Sequence, residues 1–189
     1  KAAVESGLKT WIDERRTEGW AADYASLETK GFPSRFDTTI IDLQLADPET
    51  GVAWTTPFFQ ILALSYRPNH VIAVWPKEQT IATPLQKTTL VTDTMRASVV
   101  LKPGTSLELD RAIFELDNLK LASTDGWTAS IDKGSLASRL SVGKINTHDV
   151  AVDATGFHPS RDLLDLLDPA GTLPDVFERL HSETTVAFD

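Results

Sequence analysis

Residues Gly31–Pro76 read GFPSRFDTTIIDLQLADPETGVAWTTPFFQILALSYRPNHVIAVWP, and this stretch decides the fold. Its punctuation is regular. Gly31 and Pro33 bracket Phe32, Asp47-Pro48-Glu49-Thr50-Gly51 separates two apolar runs, and Arg67-Pro68-Asn69 separates the next two. Pro and Gly interrupt ladders and set turns. Between the breaks stand β-branched and aromatic residues, among them Thr38, Thr39, Ile40, Ile41, Phe58, Phe59, Ile61 and Tyr66. Such side chains suit a pleated surface better than a helix. Asp47–Gly51 is the length of a hairpin connection, so these strands are expected to be antiparallel, because a parallel pair needs a long crossover.

Three motifs in this run, GFP-x-RFD, DP-x-x-G-x-x-W-x-x-P and SYRPN-x-VIAVWP, resemble the bacterial envelope family known as domain of unknown function 2125. The resemblance runs from about Val4 to at least Leu121 and weakens toward the C-terminus. It brings no activity, substrate or catalytic residue with it. It implies a mostly β protein tethered to the inner membrane of Gram-negative bacteria and facing the periplasm. The strand pattern is also loosely similar to that of the large AsmA-like envelope proteins, whose curved sheets form lipid-conducting grooves.

Beyond Pro76 the alternation is cleaner. Met95, Ala97, Val99 and Leu101 share one face, Leu136, Leu140 and Val142 another, and Val150, Val152 and Ala154 repeat the pattern. Strands with one apolar and one wet face are typical of antiparallel sheets. Val71–Trp75 is apolar on both sides, which predicts a central strand covered on both faces, with Trp75 buried. The alternation slips by one residue in Phe36–Leu45 and again in Leu107–Leu121, and each slip predicts a bulge or bend, near Ile40-Ile41 and near Asn118. These two segments share a rough pattern, Leu43-Gln44-Leu45-Ala46 followed by Gly51 and Trp54, and Leu119-Lys120-Leu121-Ala122 followed by Gly126 and Trp127.

The ends are helical. Val4, Leu8, Trp11 and Ile12 form one apolar face over Ala2–Glu18, closed by Gly19. Ser160 caps a short helix through Leu167, ended by Pro169 and Gly171, and Leu173–His181 reads as a second helix before strand character returns at Thr184–Phe188. The expected architecture is α+β and mostly β: one domain over residues 1–189. It comprises an N-terminal helix over 1–19, a long curved antiparallel sheet over 20–155, and a helical segment with a last strand over 156–189. The first residue is Lys1, and the family resemblance implies an anchor upstream, so the chain is expected to be a fragment of a longer membrane-anchored protein.

Composition narrows the function classes. The 189 residues carry 18 Lys and Arg against 27 Asp and Glu, a net charge of −9, with Arg15-Arg16 the only adjacent basic pair. Nucleic acid demands a clustered positive footprint and is excluded as an expected partner. The same balance argues against docking on anionic lipid by charge alone. Cysteine is absent, which removes disulfides, thiolate metal sites and thiol nucleophiles. His70, His148, His158 and His181 show no metal-ligand spacing. Asp162, Asp165 and Asp168 recur on a helix without a calcium loop. Ser65, Ser98 and Ser160 lack a nucleophile elbow, and phosphate-cradling glycine motifs are missing. No cofactor, metal or catalytic residue is therefore expected.

What stands out is a concentration of aromatics, Trp54, Phe58, Phe59, Tyr66 and Trp75, in strands that one helix can cover on one side only. These five are the candidate lining of an apolar groove. The functional expectation is a non-catalytic envelope β-module that binds lipid or another apolar ligand. Its alternatives are a structural or protein-interaction domain of the envelope with a closed core, and an envelope enzyme.

Overall fold

A computed structural model describes residues 2–31, 33–102 and 108–187. Phe32, Leu107 and Phe188 of the sequence reading lie outside these, as does the side chain of Val4. Helix α1 (Ala2–Thr17) is followed by β1 (Ala21–Asp23), β2 (Ser26–Lys30), β3 (Arg35–Ala46), β4 (Ala53–Leu64), β5 (Arg67–Val74) and β6 (Glu78–Ala82). Then come β7 (Lys87–Val91), β8 (Thr94–Leu101), β9 (Leu109–Ser123), β10 (Thr128–Leu140), β11 (Thr147–Pro159), α2 (Arg161–Leu167) and β12 (Phe177–Ala187). All twelve strands join one sheet, in which every pairing is antiparallel.

The topology is a meander with interrupted strands. The long β4 and β9 are bridged twice, at one end by β5 and β8 and at the other by β6 and β7. In the same way β1 and β2 share the free side of β3. The interruptions align with a crease across the sheet. Asp42 and Asn118, both at φ 51°, interrupt β3 and β9, and Gly156 at φ 63° interrupts β11. Asp and Asn tolerate this left-handed region better than other side chains. Pro57, which has no N–H to donate, falls opposite Asp42 between the pairs Ile41–Phe58 and Leu43–Thr56. Asp132 falls between Asn118 and Gly156, and its carboxylate occupies the space that a Cβ at Gly156 would need.

This crease explains the phase slips read from the sequence. In β3, Thr38 and Ile40 are buried before Asp42 and Leu43 after it, so one residue is skipped while the apolar set stays on the same side. The core sits where α1 meets that side. Ile12 packs with Ala22, Leu27, Ile40 and Leu43, flanked by Leu8, Tyr24, Leu45, Trp54 and Phe59. We call this the inner face.

The structure departs from the sequence reading at several points. Leu173–His181 is not a helix: β12 begins at Phe177 and pairs along β11, because Phe177, Leu180 and the Thr184–Val186 run gain more from a ladder than from an isolated short helix. The sheet therefore does not stop at residue 155. The turn between β4 and β5 falls at Ser65-Tyr66, with Arg67-Pro68-Asn69 already in β5. Val71–Trp75 is not covered on both faces, since Ile72 is 38% exposed on the outer side. Trp11 lies at the rim of the helix, under the Arg15 guanidinium at 5.6 Å. The start of α2 is as read, with the Ser160 side chain accepting from the Leu163 N–H.

Candidate functional site

Strand register carries the inner face far beyond the helix. One row across the sheet is Thr38, Ile61, Ala73, Ala97, Phe114, Leu136, Val152 and Ser182. The row beside it is Phe36, Ala63, Val71, Val99, Ala112, Ser138, Val150 and Thr184. On the crease side, Ile40 pairs with Phe59, and Met95, Leu116, Gly134, Ala154 and Leu180 follow in register. None of these positions is Asp, Glu, Lys or Arg. The neighbouring outer row is Thr39, Gln60, Val74, Arg96, Glu115, Ser135, Asp153 and His181. The next outer row is Asp37, Leu62, Ile72, Ser98, Ile113, Ala137, Ala151 and Glu183. Side chains alternate between faces, so the outer face carries its charge in one row and at the two ends of the other, with Ile72 and Ile113 exposed between those ends.

An aromatic series runs along the inner face. Trp54 meets Phe59 edge-on at 5.8 Å, Phe59 meets Trp75 at 5.1 Å, and Trp75 meets Phe114 edge-on at 5.7 Å. These geometries are favourable for ring quadrupoles. Of the five aromatics singled out by sequence, the structure brings Trp54, Phe59 and Trp75 together. Phe58, next to Phe59 on the strand and paired with the exposed Ile41, faces the outer side. Tyr66 sits in the β4–β5 turn at 69% exposure. Trp75 is half-buried rather than enclosed. Phe114 was missed because it lies 39 residues further along the chain, although the alternation of β9 marks it as inward-facing.

Cover is unequal along this face. Over β1 to β4 it is closed by α1. Toward the other edge Leu136 and Val152 are each 40% exposed and Leu180 39%. Gly134 sits in the same region, and a Cβ there would press on Leu116 at 3.1 Å, so the missing side chain leaves room for the leucine to lie across the strand. The result is a broad apolar surface, open at its β10–β12 end, rather than a closed pocket.

Several inward polar groups are bonded to one another, whereas the buried Thr92 hydroxyl has no partner among the described residues. Thr29 and Thr38 share a buried hydrogen bond of 2.8 Å. The buried Gln79 accepts from the Trp54 indole at 2.9 Å and donates to the Met95 Sδ at 3.1 Å. The Ser138 hydroxyl lies 3.1 Å from the His148 Nδ1. These pairings satisfy the rule that buried polar atoms need partners.

On the outer face, electrostatics is local. Asp153 accepts from Arg179 at 2.5 Å and from His181 Nδ1 at 2.9 Å, and the Arg179 bond chiefly holds its carboxyl below the ordinary value. Asp149 is lowered mainly by the Ser141 hydroxyl. His70 Nε2 lies 2.8 Å from the Ser98 hydroxyl, beside a hollow of about 200 Å³, but the carboxylate of that hollow, Asp37, is committed to Arg35 at 2.5 Å. The Ser98–His70 pair is a contact between neighbouring strands, β8 and β5. Asp168 turns its carboxylate onto the Thr172 and Leu173 N–H groups, closing the loop after α2. Among the described residues no group of three His, Asp or Glu is placed to hold a metal, and no helix is long and apolar enough to cross a membrane.

The family model described as "Uncharacterized protein conserved in bacteria (DUF2125)" matches residues 1–189. No curated protein and no solved structure matches the chain.

Proposed function

The chain belongs to this bacterial family, domain of unknown function 2125, and from that premise we propose that it is a non-catalytic cell-envelope module whose inner sheet face holds a lipid or another apolar ligand. The single observation that carries the reading is the uncovered inner face at Leu136, Val152 and Leu180, in register with the aromatic row and free of charge. Apolar surface of that extent is costly in water, and burying it under a ligand recovers roughly 25 cal/mol per Å². We place the module on the periplasmic side of the inner membrane, held there by an anchor outside the chain described. The open face also weighs against the alternative of an interaction domain with a sealed core.

The test is saturable binding of a fluorescent fatty acid to the folded protein. Binding should weaken on Leu136→Ser or Phe114→Ser with the far-ultraviolet circular dichroism unchanged. Absence of saturable binding would return the protein to the interaction-domain reading.

A further inference from the structure

We propose that the rim of the sheet carrying the β4–β5 and β10–β11 turns docks on an anionic lipid bilayer, independently of what the inner face holds. Connections in an antiparallel meander alternate between the two rims, so these turns share one rim, while the β3–β4, β6–β7 and β9–β10 turns and α2 lie at the other. Both docking turns extend past one register row, His70, Val100, Arg111, Arg139 and Asp149. They stand four strand spacings apart, roughly 19 Å, so a flat surface meets both at once.

These turns hold apolar side chains out into water. Val142 is 100% exposed, Ile145 89% and Tyr66 69%. Gly143 and Asn146, at φ 75° and 47°, make the β10–β11 reversal, so neither the bend nor the core uses Val142 or Ile145. Each turn also brings a cation, Arg67 and Lys144, that forms no ion pair among the described residues. Behind them Arg35, Lys102, Arg111 and Arg139 are paired with Asp37, Glu108, Asp110 and Asp149. Asp149, which also feels the charge of Lys144, accepts from Ser141 and Thr185. The opposite rim has the reverse character. Its connections carry Glu18, Asp47, Glu49, Asp125, Asp165 and Asp168, and its exposed leucines, Leu85 at 93% and Leu166 at 65%, stand at that acidic rim. Apolar exposure alone therefore does not distinguish the rims; charge does. A net charge of −9 opposes docking by the molecule as a whole, yet its separation lets an anionic surface repel one rim and attract Arg67 and Lys144 at the other, where Tyr66, Val142 and Ile145 enter the interface.

The experiment is co-sedimentation of the chain with vesicles of phosphatidylcholine alone or of phosphatidylcholine with a third of phosphatidylglycerol. The anionic vesicles should carry the protein down and the neutral ones should not, and raising the salt from about 0.1 M to about 0.5 M should release it. Lys144→Ala should weaken binding about fivefold, the effect of one cation near an anionic surface. Ile145→Asp should weaken it about tenfold or more, with Tyr66→Asp in the other turn as a second variant should the first fail to fold. Leu85→Asp at the acidic rim and Leu136→Ser on the inner face should leave binding unchanged. Equal binding to both vesicles, binding to neither, or a loss on Leu85→Asp or Leu136→Ser as large as on Ile145→Asp would overturn the inference, while fatty acid binding by the inner face is read separately and stands or falls on its own. A wild-type dimer in light scattering that Ile145→Asp splits would give the turns to a second copy and overturn the inference as well.

Discussion

The two ends of the sheet solve the same problem in opposite ways. At the β1–β2 end, α1 covers the apolar face with Leu8 and Ile12 and also occupies the strand edge. The Glu5 carboxylate accepts from the Thr29 N–H at 2.8 Å, and the Arg16 guanidinium donates to the Ala22 carbonyl at 2.6 Å. At the β12 end the face is open and the edge strand is mostly exposed, with Glu178, Arg179, His181 and Glu183 along it. Charges on an edge discourage strand addition. One end is thus built for stability, while the other leaves apolar surface in water yet protects its backbone from aggregation.

The sharpest way to break this comparison is a pair of truncations. Ile40→Ala, under α1, should cost about 3 kcal/mol, in the range of buried aliphatic deletions, whereas Leu136→Ala at the open end should cost less than about 1 kcal/mol. Urea denaturation midpoints of the two variants measure the difference, and equal losses would show that the far end is covered after all. Trp75→Ala lies between these extremes. Its ring is half-buried between Phe59 and Phe114, so its loss should be about 2 kcal/mol, below the 3–5 of an enclosed aromatic.

The crease gives a smaller effect of informative sign. Asn118 holds φ 51° and donates to the Asp93 carboxylate at 2.6 Å. Asn118→Ala should cost about 1 kcal/mol from the left-handed backbone alone, and Asn118→Gly clearly less. An alanine variant as stable as the glycine one would show that the crease is unstrained.

The smallest expected effect is acid sensitivity confined to the open edge. Because the folded carboxyl of Asp153 is held below its ordinary value, its contribution is fully present above that ordinary value and is lost as pH falls through the lowered folded one. Amide protection in β12, corrected for intrinsic exchange, should therefore drop on acidification below the usual carboxylate range while that in β3 does not. Asp153→Asn should reduce the difference between the two strands, Asp149, which is also held low and accepts from Thr185 of β12, keeping the remainder.

Much of this was legible because strands write their faces into alternate positions. The slips at Ile40-Ile41 and near Asn118 pointed to the crease from the sequence alone. The repeated pattern after each slip has a structural counterpart: Asp42 and Asn118 share one backbone state, and Trp54 and Trp127 each donate their indole N–H to a glutamine, Gln79 and Gln86. What the sequence hid was partnership. Leu173–His181 places Leu173, Val176, Phe177 and Leu180 at helical spacing with no strict alternation, and only the β11 ladder makes its second half a strand. Tyr66 and Phe58 counted as groove residues because proximity in sequence says nothing about a turn or about which face each neighbour takes. Phe114 completes the aromatic row through strand order, which no local pattern encodes.

The central claim, that one face of the sheet at its uncovered end receives hydrocarbon, is tested most directly by intermolecular nuclear Overhauser effects between the methylenes of a bound fatty acid and the methyl groups of the protein. The account expects cross-peaks to the Leu136 and Val152 methyls and none to those of Ala137 and Ala151, one residue away on the outer face. Cross-peaks to both faces alike, or to the outer alanines only, would contradict it.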